Sequence, residues 1–344
     1  MLSLELAIED ALFRIKREYK RTGGKIYLSF SGGKDSTVLA KLIEMADLPV
    51  KIPFVFANTG IELDATLRHV KEYPYENVQI IKTRKPAPRV WKDYGKPIVS
   101  KLKSEALSTY QNHVDNPLGT SRTRQMITGE AERSGVKLGK TTMYILAQKH
   151  FHLLHPDLEY SIANKCCQYM KKYPFQDYAK ENGMEGSFSG VRTAEGGVRS
   201  IAYKSCVQVK KLNGKDFLMS MPIIDWSDEL VEEFIETYEI KLSDAYTVYG
   251  ADRTGCIACP FSQNLQKDLK ILWDHEPHKY KASMKMLGDV YMDSGIECPW
   301  DEEYTEKFHE RQKLNEERRK EMLDKFSDEV SGRSKIGKVK ASDC

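Results

Sequence analysis

The chain has 344 residues, of which 40% are hydrophobic and 30% charged, with 53 Lys and Arg, 50 Asp and Glu, and seven Cys. This length predicts about two domains with a real hydrophobic core. The ordinary content of Gly and Pro excludes collagen-like and low-complexity chains, and no apolar run reaches the ~18–20 residues of a membrane span. The N-terminus carries acidic residues first and basic residues later. This charge order suits the dipole of a helix and differs from the charged-then-apolar order of a signal peptide. We therefore expect a soluble, cytoplasmic protein that has no membrane partner.

The net charge of +3 is unevenly distributed along the chain. Residues 331–344 carry four basic residues against Asp343, so this segment alone accounts for +3 and is expected to be a flexible basic tail. Residues 82–105 contain eight basic and two acidic residues. This basic strip is typical of a site for phosphate, sulfate or nucleic acid, and equally of a solvated surface.

The first part of the chain alternates helical and strand patterns. A helix is predicted over 3–20, ending at Gly23 and Gly24. Short apolar strands are then predicted at 26–31, 52–57 and 78–81, with helical patterns between them at 38–43 and 63–73. Nearly continuous apolar strands that alternate with helices indicate an α/β fold with a doubly wound parallel sheet.

The remainder of the chain is less regular. We expect loops and short helices in a basic insertion over 84–140 and helical pieces over 141–178. Further strands are expected at 187–192 and 217–221, a helix at 227–238 capped by Ser227 or Asp225, and a charged helix at 301–328. The predicted domain organisation is an N-terminal helix, a central domain, a C-terminal helical region and the tail, with bounds 1–24, 25–262, 263–330 and 331–344.

A glycine pair marks the junction of the first strand and the following helix. Consecutive small residues let backbone amides converge on an anion, and the helix N-terminus adds its dipole. Lys34 adds a mobile positive charge, while the spacing differs from that of a Walker A loop. The sequence therefore predicts a phosphate-binding loop made of Ser31, Gly32, Gly33, Lys34, Asp35 and Ser36.

Polar residues after the second strand and two arginines extend this prediction. Asn58, Thr59 and Gly60 lie at the carboxyl end of a strand, where open α/β sheets bind ligands. Arg192 and Arg199 suit bidentate recognition of phosphate or sulfate, although Arg199 taken alone is equally typical of a surface salt bridge. Trp226 is expected to be a core residue.

Four cysteines form a second group, Cys166 with Cys167 and Cys256 with Cys259. In a reducing compartment, clustered cysteines indicate metal or redox chemistry, and both zinc and iron–sulfur ligation fit a Cys-x-x-Cys pair. Adjacent cysteines diverge from one another, which favours a cluster with several irons over one tetrahedral zinc.

Several of these motifs resemble known families. Ser-Gly-Gly-Lys-Asp-Ser resembles the pyrophosphate loop (PP-loop) of the adenine-nucleotide α-hydrolase superfamily, whose members have a Rossmann-like fold and cleave ATP between its α- and β-phosphates or bind adenylyl compounds. Segments 189–199 and 222–231 resemble the Gly-x-Arg and Pro-x-x-x-Trp elements of the phosphoadenosine phosphosulfate (PAPS) reductase family. The matches keep their expected order over roughly 25–262, so the chain is identified as a member of that family.

The resemblance implies a [4Fe–4S] cluster on Cys166, Cys167, Cys256 and Cys259, as in the adenylyl-sulfate reductase branch. The segment 249–256 resembles more closely the ATP-using relatives, including DNA phosphorothioation and phage-borne members. The nucleophilic cysteine of the reductases, in a C-terminal Glu-Cys-Gly-(Ile/Leu)-His segment, has no match here. Cys298 is followed by Pro299, and Cys344 ends the chain. Cys206 is expected to be a small buried residue.

The leading hypothesis is an ATP pyrophosphatase-type enzyme of sulfur transfer, in which ATP adenylates an acceptor and sulfur displaces AMP. Lys34 and Arg192 would be catalytic, Arg192, Arg199 and Arg253 would line the acceptor side, Mg²⁺ would bridge the phosphates, and the cluster would bind or relay sulfur. The expected partners are a sulfur donor such as a cysteine desulfurase and a DNA or RNA acceptor on residues 82–103. Two alternatives remain: a reductase of PAPS or adenylyl sulfate (APS) that uses Cys298 or Cys344, and a non-catalytic nucleotide and iron–sulfur sensor subunit.

Overall fold

A computed structural model describes residues 3–133, 136–140, 144–195 and 205–331. The chain divides into two compact units, each made of two segments. The first, here called the sheet unit, comprises Met1–Arg84 and Tyr169–Ile257, and the second, the helical unit, comprises Lys85–Gln168 and Ala258–Cys344. Within the described ranges, no helix is both long and apolar enough to cross a membrane. The domain bounds expected from the sequence stay a prediction.

The sheet unit is built on six strands in the order β3-β2-β1-β6-β8-β7. All neighbouring pairs are parallel except β7 with β8, which form an antiparallel hairpin at one edge. The structure describes eight strands, including a separate β4–β5 hairpin in the helical unit: β1 Ile26–Ser29, β2 Phe54–Asn58, β3 Val78–Lys82, β4 Glu130–Arg133, β5 Val136–Lys140, β6 Gly186–Phe188, β7 Val207–Leu212 and β8 Lys215–Ser220. The prediction of a doubly wound, mostly parallel α/β sheet is confirmed.

Helices of the sheet unit cover both faces of this sheet. The described helices are α1 Leu4–Arg21, α2 Lys34–Met45, α3 Asp64–Lys71, α4 Ala87–Tyr94, α5 Lys101–Gln111, α6 Ser121–Thr128, α7 Tyr173–Glu181, α8 Asp228–Thr237, α9 Asp244–Thr247, α10 Leu265–His275, α11 Pro277–Asp293, α12 Glu302–Lys325 and α13 Ser327–Ser331. Leu28 and Phe54 belong to the core beneath α1, α2 and α8, whereas Tyr27 and Val55 pack with Tyr178 of α7. Successive side chains of β1 and β2 thus alternate between two buried faces, as a covered parallel sheet requires.

The helical unit is held together around a buried carboxylate. Asp293, at the end of α11, accepts hydrogen bonds from Arg311 and Asn315 of α12 and from the hydroxyl of Tyr160. Arg311 makes a bidentate pair with Asp293, at 2.7 and 2.9 Å. These hydrogen bonds lower the pKa of Asp293 although its burial alone would raise it. Because the charge is paired and hydrogen-bonded on both oxygens, it can stay ionised inside the unit.

Some local expectations were wrong in detail. The segment 84–140 contains the short helices expected there, but also β4 and β5, which the sequence did not indicate because both strands are polar. β7 was missed for the same reason, since an edge strand needs little apolar surface. The strand expected over 187–192 ends at Phe188, so Arg192 lies beyond it. Ser227, and not Asp225, caps α8 by accepting from the amide of Leu230.

Candidate functional site

The topology of the sheet defines a crevice at the carboxyl end of β1. The chain leaves β1 towards β2 on one side and later returns to β6 on the other, so β1 and β6 flank a topological switch point. Open α/β sheets bind their ligands at such points. The 31–36 loop follows β1, residues 58–60 end and follow β2, and Ser189 and Gly190 follow β6. Three of the predicted motifs therefore lie at one edge of the sheet.

The 31–36 loop is closed by its own hydroxyl groups. The hydroxyls of Ser31 and Ser36 lie 2.9 Å apart, and Ser36 donates to the carbonyl of Gly33 at 2.9 Å. Neighbouring side chains leave no room for a Cβ at Gly32 or at Gly33. Gly32 has a φ of +67°, and a Cβ there would lie 2.7 Å from Cγ2 of Val70. A Cβ on Gly33 would lie 2.6 Å from Oγ1 of Thr254.

Three backbone amides lie without a described protein partner at the start of α2. In the part of the chain that the structure describes, the amides of Gly32, Asp35 and Ser36 donate to no protein acceptor. The helix dipole of α2 adds partial positive charge at the same place. The ammonium of Lys34 lies 3.7 Å from the largely exposed carboxylate of Glu232, a contact that water screens. Its charge therefore stays available to a ligand.

Arg192 braces this loop from inside the protein. Its side chain is only 3% exposed, and its Nε donates to Oδ1 of Asp35 at 2.8 Å. Its other two nitrogens donate to Asp228 at 2.7 Å and to the carbonyl of Trp226 at 3.2 Å. The bond from Arg192 holds the pKa of Asp228 below its usual value. Since these contacts are to protein groups, the geometry makes Arg192 a support of the first turn of α2.

The close approach of Gly190 completes that support. A Cβ at this position would lie 2.8 Å from the carbonyl carbon and oxygen of Asp35. The segment after β6 therefore packs its backbone directly against the loop, and only glycine permits the contact.

Trp226, expected to be a core residue, is 2% exposed and packs edge-on against Phe234.

The end of β2 is brought together with Cys256. The amide and the hydroxyl of Thr59 both donate to the buried carboxylate of Glu62, at 3.0 and 2.5 Å, while Oδ1 of Asn58 accepts from the amide of Gly60. Oγ1 of Thr59 lies 3.8 Å from Sγ of Cys256, and the amide of Ile257 donates to the carbonyl of Ile61. The polar motif at the edge of the sheet and one of the four predicted cysteines are thus neighbours.

Tyr246 is a site residue that the sequence did not indicate. Its hydroxyl accepts from the amide of Lys34 at 3.1 Å and from the amide of Thr254 at 3.2 Å. It stands in the short helix α9, more than 200 residues from the loop, and no motif or spacing pointed to it. Arg253 is exposed, and Arg199 lies outside the described residues, as does Cys344.

The four predicted metal ligands fall in two units. Cys166, Cys167 and Cys259 belong to the helical unit and Cys256 to the sheet unit. Cys166 is buried and the other three are half-buried. Among the residues that the structure describes, no group of three or more His, Cys, Asp or Glu side chains is placed to hold a metal ion. An iron–sulfur cluster on these four cysteines therefore stays a prediction from the sequence.

The remaining thiols differ in accessibility. Cys298 is fully buried, and burial raises its pKa to about 12. A thiol of this kind is almost wholly protonated at neutral pH and is a poor nucleophile. Cys206 is half-buried, in partial agreement with the expectation of a buried residue.

The basic strip is partly neutralised by acidic neighbours. Lys85 and Arg89 share Asp93, Lys96 pairs with Asp289, and in the sheet unit Arg84 pairs with Asp177. These pairs reduce the net charge that the segment offers to a polyanion.

Comparison with known proteins places these motifs in one family. The model of the phosphoadenosine phosphosulfate reductase domain matches residues 25–96 and 98–262. No curated protein matches the chain. Among solved structures, the phosphate complex of PAPS reductase from Candida auris has a TM-score of 0.39 and 13% identity, covering 72% of this chain and 93% of that one. FMN adenylyltransferase from Candida glabrata, in complex with FMN and the ATP analogue AMPCPP, has a TM-score of 0.40 and 13% identity, covering 71% of this chain and 60% of that one.

Proposed function

The chain belongs to the phosphoadenosine phosphosulfate reductase domain family, whose members act on nucleotides, and from this premise we propose that it is an ATP pyrophosphatase-type enzyme. ATP binds with its β- and γ-phosphates in the 31–36 loop and is cleaved between its α- and β-phosphates. The reaction adenylates an acceptor, which then receives sulfur.

The observation that carries this proposal is the form of the loop. Three amides without an acceptor among the described residues, the dipole of α2 and the ammonium of Lys34 lie together in the loop and the first turn of α2. PAPS and APS have no β,γ-pyrophosphate, whereas ATP supplies a polyanion for these donors to bind. The loop therefore fits a pyrophosphate leaving group.

The residues of the chain have distinct roles in this reaction. The loop amides hold the leaving pyrophosphate, and Lys34 stabilises the negative charge that develops on it. Arg192, through Asp35, keeps the first turn of α2 in position. Mg²⁺, when bound with ATP, would neutralise phosphate charge, and the carboxylate of Asp35, one oxygen of which accepts from Arg192, would hold it through the other oxygen. An acceptor oxygen attacks the α-phosphorus, the bond to pyrophosphate breaks, and sulfur at the sulfide level then displaces AMP.

The partners and the cluster are separate parts of the proposal. A desulfurase-type donor would supply the sulfur as a persulfide, which a thiol reductant would convert to the sulfide level, and the 82–103 segment would bind a nucleic-acid acceptor. The [4Fe–4S] cluster on Cys166, Cys167, Cys256 and Cys259 is supported by the sequence pattern alone. Anaerobic purification followed by iron and acid-labile sulfide analysis tests it, since four of each per chain are expected, and zinc or no metal contradicts it.

Product analysis with ATP labelled at the α-phosphate tests the reaction itself. We expect labelled AMP or adenylated acceptor together with unlabelled pyrophosphate. Lys34→Ala should lower the rate by about 100-fold or more, because it removes charge at the leaving group. Lys25→Ala, which removes an exposed lysine paired with Glu185 at the edge of the same unit, is the matched control. Release of labelled ADP would overturn the proposal, and tight binding without turnover would favour a sensor subunit.

The family match also supports a second candidate, a sulfonucleotide reductase that releases sulfite. This reaction needs a reactive cysteine, and the burial of Cys298 disfavours it in that role. Thiol-dependent sulfite release from PAPS or APS that is lost in Cys344→Ser would establish the reductase.

A further inference from the structure

The hydroxyl of Tyr246 joins two segments that are distant in the sequence. One is the first turn of α2, since the oxygen accepts from the amide of Lys34, and the other is the segment 253–256, since the same oxygen accepts from the amide of Thr254. The hydroxyl itself donates to Oγ1 of Thr254, with 3.5 Å between the two oxygens. Both amides would lack this acceptor if the hydroxyl were removed.

Close packing reinforces the junction. The position that a Cβ of Gly33 would occupy lies 2.6 Å from Oγ1 of Thr254 and 3.3 Å from the hydroxyl of Tyr246. The backbone of the loop therefore touches both side chains directly. A shift of the loop of a few tenths of an ångström has to be matched by Thr254 or by Tyr246.

The segment on the other side of the junction leads to the edge of the sheet. Cys256 comes two residues after Thr254, and its sulfur lies 3.8 Å from the hydroxyl of Thr59. The amide of Ile257 fixes the same segment to the carbonyl of Ile61. A continuous set of hydrogen bonds and contacts thus runs from Lys34 through Tyr246 and Thr254 to the neighbourhood of Cys256.

We propose that Tyr246 is the positioning residue that couples pyrophosphate binding in the 31–36 loop to the conformation of segment 253–256. This inference rests on the proposed function, because it needs the loop to bind the pyrophosphate part of ATP. Phosphate oxygens that bind the loop amides order the first turn of α2. The shared hydroxyl then holds the amide of Thr254 more firmly, and the segment that carries Cys256 becomes ordered with the loop.

Hydrogen exchange measured by mass spectrometry, with and without inorganic pyrophosphate, tests the coupling in the full chain. In the wild-type protein, pyrophosphate should slow exchange in peptides that cover the loop and also, by about 5-fold or more, in peptides that cover 253–256. In Tyr246→Phe the loop should still respond, while the response of 253–256 falls to less than about 2-fold. Tyr238→Phe, in a tyrosine whose hydroxyl makes no hydrogen bond among the described residues, should behave like the wild type.

Thr254→Ala is a second test variant, and its outcome does not depend on whether Tyr246→Phe folds. It keeps the main-chain amide that Tyr246 accepts from, so the response of 253–256 should be retained. Loss of the response in Thr254→Ala, or an unchanged response in Tyr246→Phe, overturns the inference while leaving nucleotide binding intact. If the wild-type loop itself does not respond to pyrophosphate, the proposed function fails and this inference fails with it.

Discussion

The buried guanidinium of Arg192 and the half-buried carboxylate of Asp35 form an ion pair, with 2.8 Å between Nε and Oδ1. The pair connects the segment after β6 to the first turn of α2, and the bond from Arg192 to Asp228 extends it to the start of α8. Three elements at the carboxyl edge of the sheet therefore depend on one side chain. The position of the loop amides proposed to bind the pyrophosphate depends on it as well.

Arg192→Lys should weaken ATP binding and stability together. The point-like ammonium cannot reach three separate acceptors as the planar guanidinium does, so at least one of Asp35, Asp228 and the carbonyl of Trp226 loses its donor. We expect at least a 10-fold rise in the dissociation constant for ATP, measured by calorimetry, and a lower melting temperature. Arg84→Lys, in an exposed pair with Asp177 of the same unit, is the control and should change neither. Wild-type affinity in Arg192→Lys would show that the loop does not need this brace.

Gly33→Ala should impair the loop without unfolding the sheet. The added methyl group would lie 2.6 Å from Oγ1 of Thr254 and 3.2 Å from Oγ of Ser31, so the loop or its neighbours must shift. ATP cleavage should fall by about 10-fold or more, as measured by pyrophosphate release. The matched control is Gly288→Ala, since a Cβ there meets nothing within 4 Å and the residue lies inside α11. Equal activity in the two variants would contradict the tight packing described for the loop.

The sequence predicted the parts of the site that are local in the chain. The 31–36 loop, the end of β2 and the core position of Trp226 each depend on a few adjacent residues, and local patterns carry that information. The partners of these motifs are distant: Arg192 is 157 residues from Asp35, Cys256 is 197 from Thr59, and Tyr246 is 212 from Lys34. Such contacts follow from the order of the strands, which a single sequence does not specify. Polar edge strands such as β7 were missed because they have little apolar pattern to detect.

Cys298 should be inert in the native protein. It is fully buried, and its pKa is raised to about 12 by burial, with carboxylates at Asp301 and Glu297 acting in the same direction. At pH 8 it should react with iodoacetamide at least 100-fold more slowly than in the denatured chain, because the thiolate is the reactive form. Mass spectrometry of the modified peptide gives the rate. Cys298→Ser should leave nucleotide turnover and any release of sulfite unchanged. A loss of sulfite release in this variant would show that Cys298 is the nucleophile after all.

The melting temperature should fall on mild acidification, in part because of His150. Burial, together with the charges of His152, Lys149 and Lys103, lowers the pKa of His150 from 6.5 to about 4. The unfolded chain therefore takes up this proton near pH 6.5, while the folded protein does so only near pH 4. The contribution of His150 to the free energy of unfolding is present above pH 6.5 and is lost as the pH falls towards 4. The difference of about 2.5 units between the two pKa values corresponds to about 3 kcal/mol at most. His150→Gln should flatten the decline of the melting temperature between pH 6.5 and 4.5, whereas His113→Gln, at an exposed position on the same unit, should not. An identical pH profile for wild type and His150→Gln would show that His150 is protonated equally easily in the folded and unfolded chains.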